Sequence, residues 1–214
     1  MPNSEGKAIR IAHKPTDIPI YLATLGPNSL EYTGEVANGW MGTSFSPDHP
    51  EAHFDFLKRG AEKANRSLED LNLCVSTRIE IGDDVDAMIE KRKPAVAFNM
   101  GGMGSGTTNF YNDAFKRAGY EEDAVAIQTL WLAGKRDEAA KRVPDAMVTE
   151  FQALGTRDMI AARLKAYQEA GVTTLNLGLD GAGPLEPWIS RCPGVGRGHV
   201  GSDTYGNQLK SIQP

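Results

Sequence analysis

The segment Pro19–Pro27, PIYLATLGP, decides the fold expected of this chain. Its first six residues form a short and nearly continuous apolar run, which is typical of a strand buried on both faces of a parallel sheet. The run ends at a Gly26-Pro27 turn, and apolar residues then recur at helical spacing, with Pro27 suited to the first helical turn. The segment therefore predicts a strand, a tight turn and a helix.

The same order of elements recurs along the chain. The sequence predicts further strands and helix starts, with strands at Gly39–Ser44, Leu73–Ile81 and Val172–Leu179 and helix caps near Ser46, Asp83 and Thr156. Strands that alternate with helices pair in parallel through right-handed crossovers. We therefore predict an α/β fold of about four β/α units, which is too few strands to close a (β/α)8 barrel.

Two stretches depart from the alternation of strands and helices. Residues 95–154 contain more helical pattern than one crossover needs, which predicts an inserted helical subdomain. Residues 180–214 are rich in glycine and proline and show no apolar periodicity, which predicts an irregular tail. We expect one domain over residues 1–179, interrupted by the insertion and followed by the tail.

The composition of the chain argues against two classes of binding partner, nucleic acids and membranes. The formal net charge is -5, and no basic stripe stands out, which argues against a nucleic-acid partner. No run approaches the roughly 20 apolar residues of a membrane span, so we predict a cytoplasmic protein without a membrane partner. His49 and His53 stand four residues apart, but they lack the context of a zinc motif. Two surface histidines are the favoured interpretation, and no metal site is expected.

Candidate binding residues lie after the first two predicted strands, because ligands of parallel α/β folds bind beyond the carboxyl ends of strands. In the loop Ala23–Ser29, a glycine turn before a helix leaves backbone N–H groups and the Ser29 hydroxyl facing outward, as in a phosphate cradle. The spacing fits equally well a plain turn in which Ser29 is a local cap. Thr43 and Ser44 could hold an oxygen of a cofactor or substrate, or could simply complete their strand.

The third predicted strand places Arg78 and Glu80 on one face. They could line a barrel interior, but a mutual ion pair at the rim is the favoured interpretation. No Ser-His-Asp or Cys-His set for nucleophilic catalysis can be assembled from the four histidines of the sequence. A redox cofactor that carries the chemistry would suit this lack of catalytic side chains.

Four stretches carry a family resemblance: PIYLA with Gly26-Pro27, ANGW at 37–40, GTRDM at 155–159 and YQEAGV at 167–172. Together they resemble the C-terminal half of the luciferase-like monooxygenase superfamily, especially its deazaflavin-dependent oxidoreductase branch. The match spans residues 7–179. The resemblance implies the C-terminal part of a (β/α)8 TIM barrel that binds FMN or coenzyme F-420 at its mouth. It further implies an oxidoreductase that transfers hydride or activates oxygen on a small-molecule substrate.

The resemblance also implies site residues. In the loop after the first predicted strand, the cofactor contacts would be Ala23, Thr24, Gly26, Pro27, Asn28 and Ser29. In the loop after the second, the substrate contacts would be Thr43 and Ser44. No catalytic residue is assigned, because the family's proton donors belong to four strands that we expect to be encoded before Met1. Activity would then need that missing half.

Two other functions remain open. A non-catalytic half-barrel could form a homodimer through its open sheet edges, since exposed strand edges demand a partner. A small phosphate-ligand binding module could use only the loop around Gly26. Pairing with the missing N-terminal half is the alternative to a homodimer.

Overall fold

A parallel sheet flanked by helices forms the centre of the molecule. The computed structural model describes residues 17–179, together with the backbone of residues 199–202 and 208–212. The parallel strands are β1 Tyr21–Leu22, β2 Gly39–Gly42, β3 Asn72–Ile81, β4 Ala153–Gly155 and β5 Thr174–Leu179. The predicted α/β class is confirmed.

The strands lie side by side in the order β1, β2, β3 and β5, and β4 also pairs with β3. All of these pairs are parallel, with β5 along residues 74–79 of β3 and β4 along residues 79–81. Because the strands run the same way, their carboxyl ends meet at one edge of the sheet. This edge positions the candidate site.

Helices connect and cover the strands. They are α1 Pro27–Val36, α2 Glu51–Lys63, α3 Val85–Gly101, α4 Phe110–Phe115, α5 Glu121–Leu132, α6 Arg136–Lys141, α7 Asp145–Thr149 and α8 Arg157–Glu169. A π-helical segment, Lys116–Tyr120, links α4 to α5, and a short 3-10 turn, Leu68–Asp70, precedes β3. None of the helices in the described part of the chain is long and apolar enough to span a membrane.

Helix α1 begins at Pro27 as predicted, and of the three predicted helix caps one is right and two are shifted. Thr156 caps α8, because its hydroxyl accepts a hydrogen bond from the Met159 N–H. The cap of α3 is Asp84 rather than Asp83. Ser46 does not cap α2, because its hydroxyl accepts the Asp48 N–H at 3.1 Å and holds a turn there instead. The helix then begins five residues later, at Glu51.

The predicted insertion has different ends in the structure. Helix α3 passes through Pro94 and continues to Gly101, because burial of its later turns outweighs the single hydrogen bond that proline removes. These turns pack against α5, α6 and α7 in one apolar cluster. At the other end, Ala153 and Leu154 belong to β4 rather than to a helix.

The tail contains two strands, β6 His199–Ser202 and β7 Gln208–Ile212. Strand β7 pairs antiparallel with both β5 and β6. The prediction of an irregular tail is therefore wrong for these two segments, since backbone pairing with a free sheet edge does not require apolar periodicity. The rest of residues 180–214 lies outside the described residues.

Candidate active site

A cavity of about 360 Å³ lies on the carboxyl half of the sheet. Strands β3 and β5, the residues after β2 and the helical insertion all contribute to its walls. The lining residues are Thr43, Ser44, Ser76, Thr77, Arg78, Val96, Asn99, Phe115, Phe151, Gln152, Asn176 and Gly178. Of the predicted site residues, Thr43 and Ser44 line this cavity, and those of the Ala23–Ser29 loop do not.

The alternation of β3 brings polar side chains to the cavity. Ser76 and Arg78 are exposed on this face, whereas Val75 and Ile79 are fully buried against the helices on the other. The predicted division of the strand into two faces is confirmed.

The predicted pair between Arg78 and Glu80 is wrong, because Glu80 binds helix α3 instead. Its carboxylate accepts hydrogen bonds from Lys91 Nζ at 2.8 Å and from Arg92 Nη2 at 2.5 Å. Burial raises the pKa of Glu80, but the hydrogen bonds from Lys91 and Arg92 outweigh it, and the pKa lies below its usual value. Glu80 is therefore held as a carboxylate by two cations of α3.

The insertion contributes two aromatic rings to the cavity wall. The rings of Phe115 and Phe151 stack with their centroids 4.2 Å apart, and both side chains are almost fully buried. Beside them, Gln152 lines the cavity with a buried Oε1 atom that has no hydrogen-bond partner among the described residues. A buried acceptor without a partner is costly unless water or a ligand satisfies it.

Ser44 has an unusual backbone conformation at the end of β2. Its φ angle is 51°, in the left-handed region that favours glycine. Such a residue costs of order 1–3 kcal/mol and is found most often at functional sites. Ser44 therefore combines a strained backbone with a position at the cavity.

The turn between β1 and α1 leaves two backbone amides uncapped. Gly26 is the N-cap of α1, and no side chain caps the helix. The N–H groups of Asn28 and Ser29 in the first turn therefore have no intrahelical acceptor. The Ser29 side chain is exposed, but its hydroxyl donates to the Gly26 carbonyl at 2.9 Å, which commits its proton to the turn. Any anion at this turn would meet backbone amides rather than that hydroxyl proton.

Buried contacts fix the strand end before this turn. The Trp40 indole N–H donates to the Thr24 carbonyl at 2.9 Å. Thr33 donates to the Ser29 carbonyl at 2.7 Å, so the 2.8 Å contact between the Thr24 and Thr33 hydroxyls has Thr24 as its donor. The Thr24 side chain thus ties β1 to α1, and its proton is not available to a cofactor.

The insertion braces the same turn. Arg117 donates to the Leu25 carbonyl at 2.8 Å and to the Ala52 carbonyl at 2.9 Å. Phe110 covers Gly26, where an added Cβ atom would lie 3.2 Å from the ring. The insertion therefore contributes both to the cavity wall and to the position of the β1–α1 turn.

The sequence interpretation placed His49 and His53 at the surface, which is wrong for His53. His53 is buried between the rings of Trp40 and Phe45, and neither of its ring nitrogens has a hydrogen-bond partner in the described part of the chain. Burial, followed by the charge of Arg117, lowers the pKa of His53 to about 3. His49 lies between two carboxylates, with its Nδ1 atom 3.6 Å from Glu51 Oε1 and its Nε2 atom 3.5 Å from Glu150 Oε2. The described residues contain no cluster that could hold a metal ion.

Several lining residues were missed by the sequence interpretation. Asn176 and Gly178 alternate with Leu175 and Leu177 along β5, so the pattern of that strand could have marked them. Asn99 and Gln152 lie in the insertion, whose path across the sheet no local pattern specifies.

Comparison with known proteins places this geometry in context. Residues 2–174 match the model of the luciferase-like monooxygenase family. A protein of Mycobacterium tuberculosis whose name assigns it to the coenzyme F-420-dependent oxidoreductases is 33% identical over 174 residues, 79% of this chain and 50% of that protein. The 5,10-methylenetetrahydromethanopterin reductase of Methanopyrus kandleri is 30% identical over 165 residues, 76% of this chain and 45% of that protein.

Solved structures agree with the fold. The coenzyme F-420-dependent tetrahydromethanopterin reductase of Methanopyrus kandleri superimposes with a TM-score of 0.59 at 29% identity, over 78% of this chain and 46% of that one. An F-420-dependent secondary alcohol dehydrogenase, at 15% identity and a TM-score of 0.54, supports the fold alone. The prediction of a partial (β/α)8 barrel is confirmed. The chain spans about half the length of the curated relatives it matches.

Proposed function

Because this chain belongs to the luciferase-like monooxygenase family, we propose that it carries the coenzyme-binding portion of a coenzyme F-420-dependent oxidoreductase. The observation that carries the proposal is the family match over residues 2–174, which include the β1–α1 turn and most of the cavity lining. A small-molecule substrate would bind in the cavity. The cytoplasmic location stays a prediction.

The first turn of α1 fits the phosphate of such a coenzyme. The uncapped amides of Asn28 and Ser29 lie at the positive end of the helix dipole, where anions are stabilised. Pro27 and Asn28 are exposed, and no acidic residue occupies the first turn. The proposed contacts are Ala23, Thr24, Gly26, Pro27, Asn28 and Ser29, of which Thr24 and Gly26 shape the turn through the hydrogen bonds described above.

Coenzyme F-420 is preferred over FMN because the matched relatives are named for it. When bound, this coenzyme supplies the donor or acceptor of a hydride. The hydroxyl groups of Thr43 and Ser44 would orient a substrate oxygen at the cavity, and Phe115 and Phe151 would limit the access of water. Excluding water strengthens each polar contact inside such a site.

The outer edge of β1 supports a proposal about partners. In the described sheet, β1 lies at one end of the strand order, and Ile18 and Ile20 beside it are 71% and 59% exposed. Apolar side chains on an unpaired edge favour pairing with another strand. That strand would come from a second copy or from a longer form of the chain. A non-catalytic half-barrel dimer is the second candidate function, and this edge is the observation that favours it.

The substitution Asn28→Asp tests the proposed phosphate contact. A carboxylate in the first turn should stabilise α1 by about 0.3–1 kcal/mol through the helix dipole. The same charge should repel a phosphate and weaken coenzyme F-420 binding about tenfold or more, as measured by equilibrium fluorescence titration. Stability and affinity are therefore expected to change in opposite directions.

Asn65→Asp is the matched control, because it adds the same charge beyond the carboxyl end of α2, away from the turn. It should leave the coenzyme affinity unchanged. Equal affinities of the wild type and Asn28→Asp would contradict the phosphate assignment. A folded dimer that binds neither coenzyme F-420 nor FMN would favour the non-catalytic half-barrel instead.

A further inference from the structure

Helix α4 joins the β1–α1 turn to the cavity. Its first residue, Phe110, packs against Gly26, where an added Cβ atom would lie 3.2 Å from the ring. Its last residue, Phe115, lines the cavity. Because an α-helix rises about 1.5 Å per residue, the two backbone positions are roughly 7.5 Å apart along the helix axis. A ligand with one end at the turn and the other in the cavity would therefore lie beside α4.

Phe110 offers an apolar surface between these two places. The ring edge formed by Cδ1 and Cε1 faces Gly26, and Phe110 is still 52% exposed, whereas Phe115 is 2% exposed. Pro27 and Asn28, which follow Gly26 in the turn, are exposed as well. A large exposed ring beside the first-turn amides is suited to pack against the apolar part of a ligand whose anionic part those amides bind.

The backbone of Phe110 is held in place by buried hydrogen bonds. Asn109 caps α4, because its Oδ1 atom accepts the Asn112 N–H at 3.1 Å, and its Nδ2 atom donates to the Met100 carbonyl at 2.8 Å. Asn112 Nδ2 donates to the Ala124 carbonyl at 2.8 Å. These bonds tie the start of α4 to α3 and α5, so a ligand that packs on Phe110 has little backbone to order.

We propose that Phe110 is a further coenzyme-binding residue, whose exposed ring packs against the ribityl chain of coenzyme F-420. This chain joins the phosphate to the ring system and carries C–H groups whose burial against an aromatic ring is favourable. With the phosphate at the first-turn amides and the ring system at the cavity, the chain crosses α4 at Phe110. The inference rests on the proposed function and adds to it the residue that binds the middle of the coenzyme.

Two ligands separate a contact with the ribityl chain from an effect on the phosphate site. Coenzyme F-420 contains both the chain and the phosphate, whereas the deazariboflavin without the phosphate and its tail contains only the chain and the ring system. We expect Phe110→Ala to weaken the binding of both ligands to the full chain by the same factor, roughly tenfold, in fluorescence titrations. Phe110→Tyr keeps the aromatic ring and should bind both within about twofold of the wild type.

Phe98→Ala is the matched control, because Phe98 is also an exposed phenylalanine of the insertion but contacts Trp131 rather than the turn. It should leave both affinities unchanged. Equal affinities of the wild type and Phe110→Ala for both ligands would overturn the inference and leave the proposed function intact.

Two other results would also overturn the role of Phe110. They are binding of coenzyme F-420 but not of the deazariboflavin by the wild type, and a loss of coenzyme F-420 affinity alone in Phe110→Ala. In both cases the affinity would depend on the phosphate and not on the ribityl chain. A wild type that binds neither ligand would contradict the proposed function together with this inference.

Discussion

The substitution Gly60→Ala is expected to lower the free energy of unfolding by about 3 kcal/mol. Helices α1 and α2 cross so closely that a Cβ atom on Gly60 would lie 1.7 Å from the Glu31 carbonyl oxygen and 2.7 Å from its carbonyl carbon. Both are backbone atoms, so no side-chain rotation can relieve the overlap. The gain of about 1 kcal/mol in helix propensity from glycine to alanine is smaller than this cost. Chemical denaturation measures the difference.

The same contact links stability to the candidate site. Gly34 on α1 makes the reciprocal approach, with an added Cβ atom 1.9 Å from the Leu57 carbonyl oxygen. Separating the helices would move α1, and with it the first-turn amides that we assign to the coenzyme phosphate. Lys58→Ala on the exposed face of α2 is the control and should change stability by less than about 0.5 kcal/mol. A Gly60→Ala variant as stable as the wild type would show that the helices are not in this contact.

Acid is expected to destabilise the protein by about 2 kcal/mol between pH 7.5 and pH 5 through His53 alone. In the folded state, burial lowers the pKa of His53 to about 3, whereas in the unfolded chain histidine takes up the proton near its ordinary pKa of 6.5. Below pH 6.5 the unfolded state therefore binds more protons than the folded state, and stability falls as the pH falls towards 3. Equilibrium unfolding at several pH values measures this slope.

The variant His53→Phe removes the titrating group and replaces an unpartnered polar ring by an apolar one among Trp40 and Phe45. Its stability should fall less on acidification than that of the wild type, by about 2 kcal/mol over the same interval. Phe45→Leu, a core change beside His53, should lower stability by the same amount at both pH values. Parallel pH profiles for the wild type and His53→Phe would rule out a buried neutral histidine.

Local patterns predicted the fold well where a single element carries the signal. The alternation of polar and apolar residues along β3 correctly assigned its two faces, and Thr156 correctly marked the start of α8. Patterns failed where a local side chain competes with the expected role. Ser46, for example, accepts the Asp48 N–H and holds a turn instead of capping α2. Patterns also failed where burial overrides a local signal, because helix α3 passes through Pro94 into turns that are buried against α5, α6 and α7.

The candidate site was only partly predictable for a related reason. Thr43 and Ser44 follow a strand, so the rule that ligands bind at strand carboxyl ends locates them. Gln152 and Phe115 reach the cavity only because the insertion folds across the sheet, which depends on contacts distant in sequence. Burial of His53 likewise results from the packing of α2 against β2 rather than from its local sequence.

The central claim is that the first turn of α1, next to the cavity-bearing edge of the sheet, binds a phosphorylated deazaflavin. Nitrogen-15 correlation spectra of the full chain, recorded while coenzyme F-420 is added, test it most directly because they report on each backbone amide. We predict that the amide signals of Asn28 and Ser29 shift in a saturable manner, together with those of residues that line the cavity. Saturable binding that leaves both amides unshifted, or no binding at all, would contradict the claim.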